Sequence, residues 1–250
     1  MAQPVPVANL PIHTPDRPVR WAADQFLEGV VILMDKPKGW SSFDVVRFVR
    51  NRVPVRKVGH AGTLDPMATG LLVLCCGRAT RSIEQFQSFR KRYLTTIRLG
   101  EETASYDAET PVEGTAPVHH LTEELFRHTI ESTFLGEQMQ QPPIFSALKR
   151  EGIRNYKRAR AGERERPSSR LVSLYEAKIN RFLLPEMDVD LLCGKGFYVR
   201  SFAHDLARSV GSCGHLTSLR RTETGSLHVR DAWTPEALNE WIRVNVNETD

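Results

Sequence analysis

At 250 residues, with 40% apolar and 26% charged side chains, the chain has the make-up of a soluble globular protein. No apolar run approaches the about 20 residues needed to cross a bilayer, and no apolar block near the amino terminus marks a secretory leader, so the sequence reads as cytoplasmic with no membrane partner. The net charge is only +4, and the four cysteines (Cys75, Cys76, Cys193, Cys213) form no C-x-x-C pair, which argues against a zinc ribbon or a disulfide framework.

The first 18 residues hold Pro4, Pro6, Pro11, Pro15 and Pro18, a third of all the prolines, so residues 1–28 read as a flexible or extended arm. From Gly29 the run Val30-Val31-Ile32-Leu33-Met34 predicts a buried strand, closed by Asp35-Lys36-Pro37-Lys38-Gly39. Ser41 or Ser42 then caps a helix with Phe43, Val45, Val46 and Val49 on one side. Five cations follow within eleven residues (Arg47, Arg50, Arg52, Arg56, Lys57) with no acid among them. Such a cluster suits a polyanion, and it equally suits a solvated helix face.

The stretch from Gly59 to Gly70, Gly-His-Ala-Gly-Thr-Leu-Asp-Pro-Met-Ala-Thr-Gly, contains one carboxylate, Asp65, and three glycines that allow tight turning and close approach. Taken alone, Asp65 before Pro66 reads as a helix cap. Leu71 to Cys76 predicts an inner strand that would give the loop a rigid footing. A basic helical segment leads to a half-buried strand from Tyr93 to Leu99, and residues 101–118 read as a polar loop.

Thr122 begins a helix with Leu125, Phe126, Thr129, Ile130 and Phe134 on one face, and Gln140-Gln141-Pro142-Pro143 breaks the pattern. Residues 149 to 170 carry nine Lys or Arg against three Glu, a net of +6, so the rest of the chain is slightly acidic. Strands are predicted from Leu171 to Leu183 and from Met187 to Cys193. Gly194-Lys195-Gly196 then turns into a helix through Phe202, Ala203, Leu206 and Val210, stopped at Gly211. Without strict βαβ alternation, the pattern favours an α+β fold around a mixed, largely antiparallel sheet with flanking helices. No phosphate-binding loop or dinucleotide fingerprint is present.

Six blocks, in order, resemble the TruB family of tRNA pseudouridine synthases. They are Asp35-Lys36-Pro37-x-Gly39-x-Ser41-Ser42; the Gly59 to Gly70 loop; Lys91-Arg92-Tyr93; Pro143-x-x-Ser146-Ala147-x-Lys149; Lys195-Gly196-x-Tyr198-Val199-Arg200; and Leu219-Arg220-Arg221. The resemblance implies a catalytic domain over 29–232 and isomerisation of one uridine of the tRNA T-loop (position 55) to pseudouridine, with no cofactor and no metal. It places the catalytic aspartate on Asp65, with Arg200 pairing it and Tyr93 assisting. His60, Tyr93, Tyr198 and Leu219 would bind the substrate. His60 would fill the space of a nucleotide turned out of its stack, which costs a few kcal/mol.

By the same resemblance the basic residues Lys149, Arg150, Arg154, Lys157, Arg158 and Arg160 belong to an RNA-gripping insertion that reads shape and backbone. The partner is the T-arm of tRNA, without guide RNA, and a monomer is the family default. An Asp is ionised at neutral pH, since its ordinary pKa is about 3.9, and can act as a nucleophile. Attack on sugar, attack on base, or support of a glycal-like intermediate all remain open.

Two departures stand out. The match is followed by only some 29 residues, containing Trp233 and Trp241 and ending in a short helical tail over 233–250, too few for the RNA-binding PUA domain that often follows in bacterial members. The loop of Thr103, Ser105 and Asp107 has Ala104 and Thr110 where the family has Asp and Gly, so the reading gives it no catalytic role. A guide-dependent synthase and a non-catalytic RNA binder are the competing functions. Ala61, Met67-Ala68 and the absent PUA domain speak against the first; the intact Asp65, Tyr93 and Arg200 set speaks against the second.

Overall fold

The computed structural model describes residues 3–145, 149–150, 153–154 and 167–246. The chain parts into two compact units, one made of Met1–Lys91 with Arg220–Asp250 and the other of Arg92–Leu219.

In the first unit the residues read as a flexible arm take up local structure. Strand β1 (Ile12–His13) runs parallel to β2 (Val30–Lys36), with Ile12 opposite Val31 and His13 opposite Ile32. Prolines remove donors but do not prevent docking, because Leu10 and His13 are buried. A short helix α1 (Ala23–Glu28) ends at Gly29, whose φ of 127° suits only glycine.

Helix α2 (Ser42–Arg50) starts with a capping box in which the Ser41 hydroxyl and the Asp44 carboxylate each accept the other's backbone N–H. Val45, Val46 and Val49 face the core as expected, but Phe43 does not: it is 55% exposed. At 100° per residue, position 43 falls at the margin of the stripe defined by 45, 46 and 49, and here it lands on the outside.

Strand β3 (Val58–His60) and β2 both pair antiparallel with β4 (Thr69–Cys76), so β4 is central. Its side chains alternate between two apolar clusters: Leu72, Leu74 and Cys76 pack with the valines of α2, while Leu71, Val73 and Cys75 pack with Leu10 and Phe86. A strand buried on both faces is a continuous apolar run, the signal seen in the sequence. Helix α3 (Ile83–Ser88) closes this segment.

The second unit begins within β5 (Lys91–Leu99). The predicted polar loop contains a small antiparallel ribbon, β6 (Glu101–Thr103) with β7 (Val112–Thr115). Helix α4 (Glu123–Thr129) is capped by the Thr122 hydroxyl, which accepts from the Leu125 N–H at 3.2 Å. Then come β8 (Gly136–Gln140), the short antiparallel pair β9 (Lys149–Arg150) and β10 (Ile153–Arg154), and the long hairpin of β11 (Arg170–Leu183) and β12 (Glu186–Cys193).

Along β12, Met187, Val189, Leu191 and Cys193 are buried in alternation, the period of a strand with one covered face. Helix α5 (Val199–Ser209) and β13 (Gly214–Thr224) complete the unit, in which the strand order is β13-β5-β12-β11-β8. The side chains of Lys149, Arg150, Arg154, Lys157, Arg158 and Arg160, assigned above to RNA gripping, lie outside the described residues.

The chain returns to the first unit inside β13, at Arg220, where Arg220 and Arg221 pair in parallel with Thr69 and Gly70. After β14 (Leu227–His228), helix α6 (Pro235–Asn245) is capped by Thr234 and has proline at its first position, where no N–H is needed. Trp233 and Trp241 pack with Trp21 and the ring of His13, with centroid distances of 4.8–5.8 Å. Residues near the two ends of the chain thus share one aromatic cluster.

Candidate active site

In the first unit, the loop that carries Asp65 is held through its backbone. The Ser42 hydroxyl accepts from the Leu64 N–H at 2.8 Å and donates to the Leu64 carbonyl at 3.0 Å. Lys36 is fully buried, and its ammonium donates to the carbonyls of Pro37 (2.9 Å), Trp40 (2.6 Å) and Pro66 (3.3 Å). The Gly39 N–H adds a bond to Pro66 O at 2.8 Å. A buried ammonium is tolerated only when such acceptors surround it.

The other flank is held from β13. Arg221 is buried, and donates from Nε to Leu71 O at 2.7 Å and from its terminal nitrogen to Gly62 O at 3.2 Å. Arg220 forks onto both oxygens of Asp35 at 3.0 and 2.6 Å and reaches Thr69 Oγ1 at 3.3 Å. Gly70 has φ 103°, and a Cβ there would stand 2.2 Å from the Arg221 carbonyl oxygen, so glycine is required by both conformation and space. Asp65 therefore projects, half-buried, from backbone anchored at residues 62, 64, 66 and 71. His60, half-buried, ends β3 opposite Leu74.

In the second unit, Tyr198 and Arg200 lie at the start of α5. Gln140 holds Tyr198 by both main-chain groups: its side-chain oxygen accepts from the Tyr198 N–H at 2.7 Å and its amide donates to the Tyr198 carbonyl at 3.0 Å. The Arg170 guanidinium lies over the Tyr198 ring at 4.6 Å. Arg200 is buried. It donates to Ser105 O (2.9 Å) and Phe145 O (2.8 Å), and Asp107 stands 3.3 Å away.

That carboxylate is itself held by the Ser105 hydroxyl at 2.5 Å and the Glu109 N–H at 3.0 Å. Between them, Tyr106 adopts φ 62°, rare for a bulky residue, with its ring stacked on His204 at 4.0 Å. Tyr93 is half-buried on β5 beside Arg92, which pairs with Glu176 and Asp190. Leu219 is buried at the end of the second unit's part of β13.

Asp65 and His60 thus belong to the first unit, and Tyr93, Tyr198, Arg200 and Leu219 to the second. The sequence reading missed Asp107 and Gln140, which hold Arg200 and Tyr198. The surviving Ser105 and Asp107 of a loop that departs from the family pattern were the available signal. Chemically, a half-buried carboxylate on hydrogen-bonded backbone can add to an electrophilic carbon or stabilise positive charge beside it. A buried, carboxylate-paired guanidinium supplies a fixed positive charge. Among the described residues no group of three or more His, Cys, Asp or Glu could hold a metal ion.

Residues 50–199 match the TruB family pseudouridylate synthase (N terminal domain). The chain is 45% identical over 216 residues to tRNA pseudouridine synthase B of Flavobacterium johnsoniae, covering 84% of this chain and 94% of that protein. It is 43% identical over 223 residues to tRNA pseudouridine synthase B of Bacteroides fragilis, covering 87% and 95%. Among solved structures, that of a Cbf5-Nop10-Gar1 complex superposes with a TM-score of 0.68 at 23% identity, over 99% of this chain and 64% of the other, a likeness of fold.

Proposed function

The chain belongs to the TruB family of pseudouridylate synthases, and we propose from that premise that it acts on the T-loop of tRNA, at position 55, with Asp65 at the reacting centre. It is an enzyme, an isomerase that converts uridine to pseudouridine in tRNA. The reaction breaks the bond from sugar to N1 of the base and makes one from the same sugar carbon to C5, while C5 gives up its hydrogen to solvent as a proton and N1 takes one up, so atoms and electrons balance without a donor or an oxidant.

In this reading the target uridine leaves its stack and Asp65 supplies a carboxylate as nucleophile or charge stabiliser. Arg200 orients that carboxylate through charge-assisted hydrogen bonds. Tyr93 stacks on the base, Tyr198 and Leu219 pack against the nucleotide, and His60 takes the vacated space. No cofactor, metal or guide RNA takes part, and a single chain suffices, acting in the cytoplasm. The basic insertion, Lys149 to Arg160 and beyond, grips the T-arm through its backbone.

One observation supports this reading above the others: Asp65 is the single carboxylate of a loop whose backbone is anchored by Ser42, Lys36 and Arg221. The test is tritium release from tRNA labelled at uridine C5, with purified protein and no guide RNA, followed by mapping of the modified position. Release from position 55 is expected. No release from unmodified tRNA would sink the proposal, and release from another position would refute its T-loop part.

A further inference from the structure

Helix α2 leaves the Asp65 loop carrying a face that its own unit does not cover. Ser42, in its first turn, holds both main-chain groups of Leu64, and the next residue is the exposed Phe43. Burying such a ring is normally favourable, and here it stays in water beside two cations. Arg47 and Arg50 follow four and seven residues on, along the same stripe of a 3.6-residue helix, and both are exposed. The Arg50 guanidinium lies 6.0 Å from the Phe43 ring centroid.

The charge around this stripe is of one sign. From Val45 to Leu64 there is no acidic residue. Arg52 is engaged elsewhere, stacked on Phe48 at 3.7 Å and bonded to Phe48 O and Asn239. Arg56 and Lys57, beyond the helix, are exposed. On the helix itself Asp44 accepts from the Ser41 N–H and hydroxyl and from Arg47 at 2.9 Å.

We propose that Phe43, Arg47 and Arg50 form a docking strip for the RNA strand flanking the target nucleotide, Phe43 as a stacking platform for a base and the two arginines as phosphate contacts. The proposal rests on the Asp65 reading, since the strip's place beside Leu64 is what selects the flanking strand. An exposed aromatic among cations is the combination that holds single strands without reading their sequence. Phe43 to Arg50 spans seven residues, about 10 Å of helix rise, enough for a few nucleotides and too short for a whole arm. An acidic protein could meet the arginines, but it would not discriminate a flat ring from any other apolar side chain at position 43, and this separates the two partners.

The test uses the full chain and an unmodified tRNA transcript. Equilibrium binding is measured over a series of salt concentrations for wild type, Phe43→Ala, Phe43→Trp and the double variant Arg47→Gln/Arg50→Gln, with thermal melting to confirm folding. Phe43→Ala should weaken binding about five- to fiftyfold, while Phe43→Trp binds at least as tightly as wild type. The double variant should flatten the slope of log affinity against log salt by about two.

Wild-type affinity and slope in both the alanine and the double variants would overturn the proposal, leaving a solvated face. So would equal losses in the alanine and tryptophan variants, which would mean a packing defect. If the variants behave as expected while wild type releases no tritium, the strip stands as an RNA-binding face, and the reading of Asp65 falls together with the assignment of the strip to the flanking strand.

Discussion

The Asp107 carboxylate stands 3.3 Å from the guanidinium of Arg200, with the two side chains 1% and 4% exposed. Both come from stretches far apart in the chain, and the acid is held in turn by Ser105 and the Glu109 N–H. Removing one member of a buried pair leaves the other charge without compensation, which costs about 3–5 kcal/mol. Asp107→Ala is therefore expected to lower the melting temperature sharply. Asp107→Asn keeps the shape and can keep hydrogen bonds but also removes the charge, so it should be destabilised less than the alanine variant and lose turnover by about a hundredfold or more through misplacement of Arg200. Calorimetry with tritium release on both variants checks this; wild-type turnover in Asp107→Asn would show that Arg200 needs no carboxylate there.

Asp65→Asn is nearly isosteric and leaves every described backbone anchor of its loop in place. Turnover should disappear while the affinity for tRNA stays within about threefold, because phosphate contacts dominate that affinity. Single-turnover assays beside filter binding separate the two. Residual turnover in the asparagine protein would refute the nucleophile role.

Ser42 gives the loop two bonds from one hydroxyl. In Ser42→Ala both the buried N–H and the carbonyl of Leu64 lose a partner, a loss of about 1–3 kcal/mol. The larger effect should be kinetic. A carboxylate free to drift by about 1 Å can cost a hundredfold in rate with little change in KM. A KM-dominated defect would place Ser42 in substrate binding instead.

Acid should weaken the fold through His13. Its Nδ1 accepts from the Val19 N–H at 3.0 Å, and the ring is enclosed by Trp21, Trp233 and Trp241. Burial pushes its pKa down from 6.5 to about 4. Above pH 6.5 both folded and unfolded chains hold it neutral; below that, the unfolded chain takes up a proton that the folded one refuses. Stability then falls by about 1.4 kcal/mol per pH unit until about pH 4, roughly 3 kcal/mol in all. Urea unfolding at pH 7.5 and pH 5 should show a smaller difference for His13→Phe than for wild type. Equal differences would assign the acid sensitivity to other groups.

Local features were legible in the sequence because their causes are local. The helix start at Ser41 or Ser42, the doubly buried run at Leu71–Cys76 and the alternation of β12 all follow from spacing alone. The long-range ties were not. Gln140 reaches Tyr198 across 58 positions, and Arg200 reaches Ser105 across 95, so no window of sequence contains both partners. Phe43 was misplaced because periodicity defines a stripe but not its margin. The proline count in the arm tallied missing donors and overlooked that Leu10 and His13 had somewhere to bury.

That arm has one more effect. Strand β2 reads Val-Val-Ile-Leu-Met-Asp-Lys, a β-prone stretch whose unpaired side would be a template for intermolecular pairing and aggregation. Strand β1 lies outermost in the order, beside β2, and offers a newcomer only two residues, with Pro11 before them and Pro15 and Pro18 after. The prolines that looked like a recipe for looseness act here as a stop, ending the sheet where another copy of the chain would otherwise extend it.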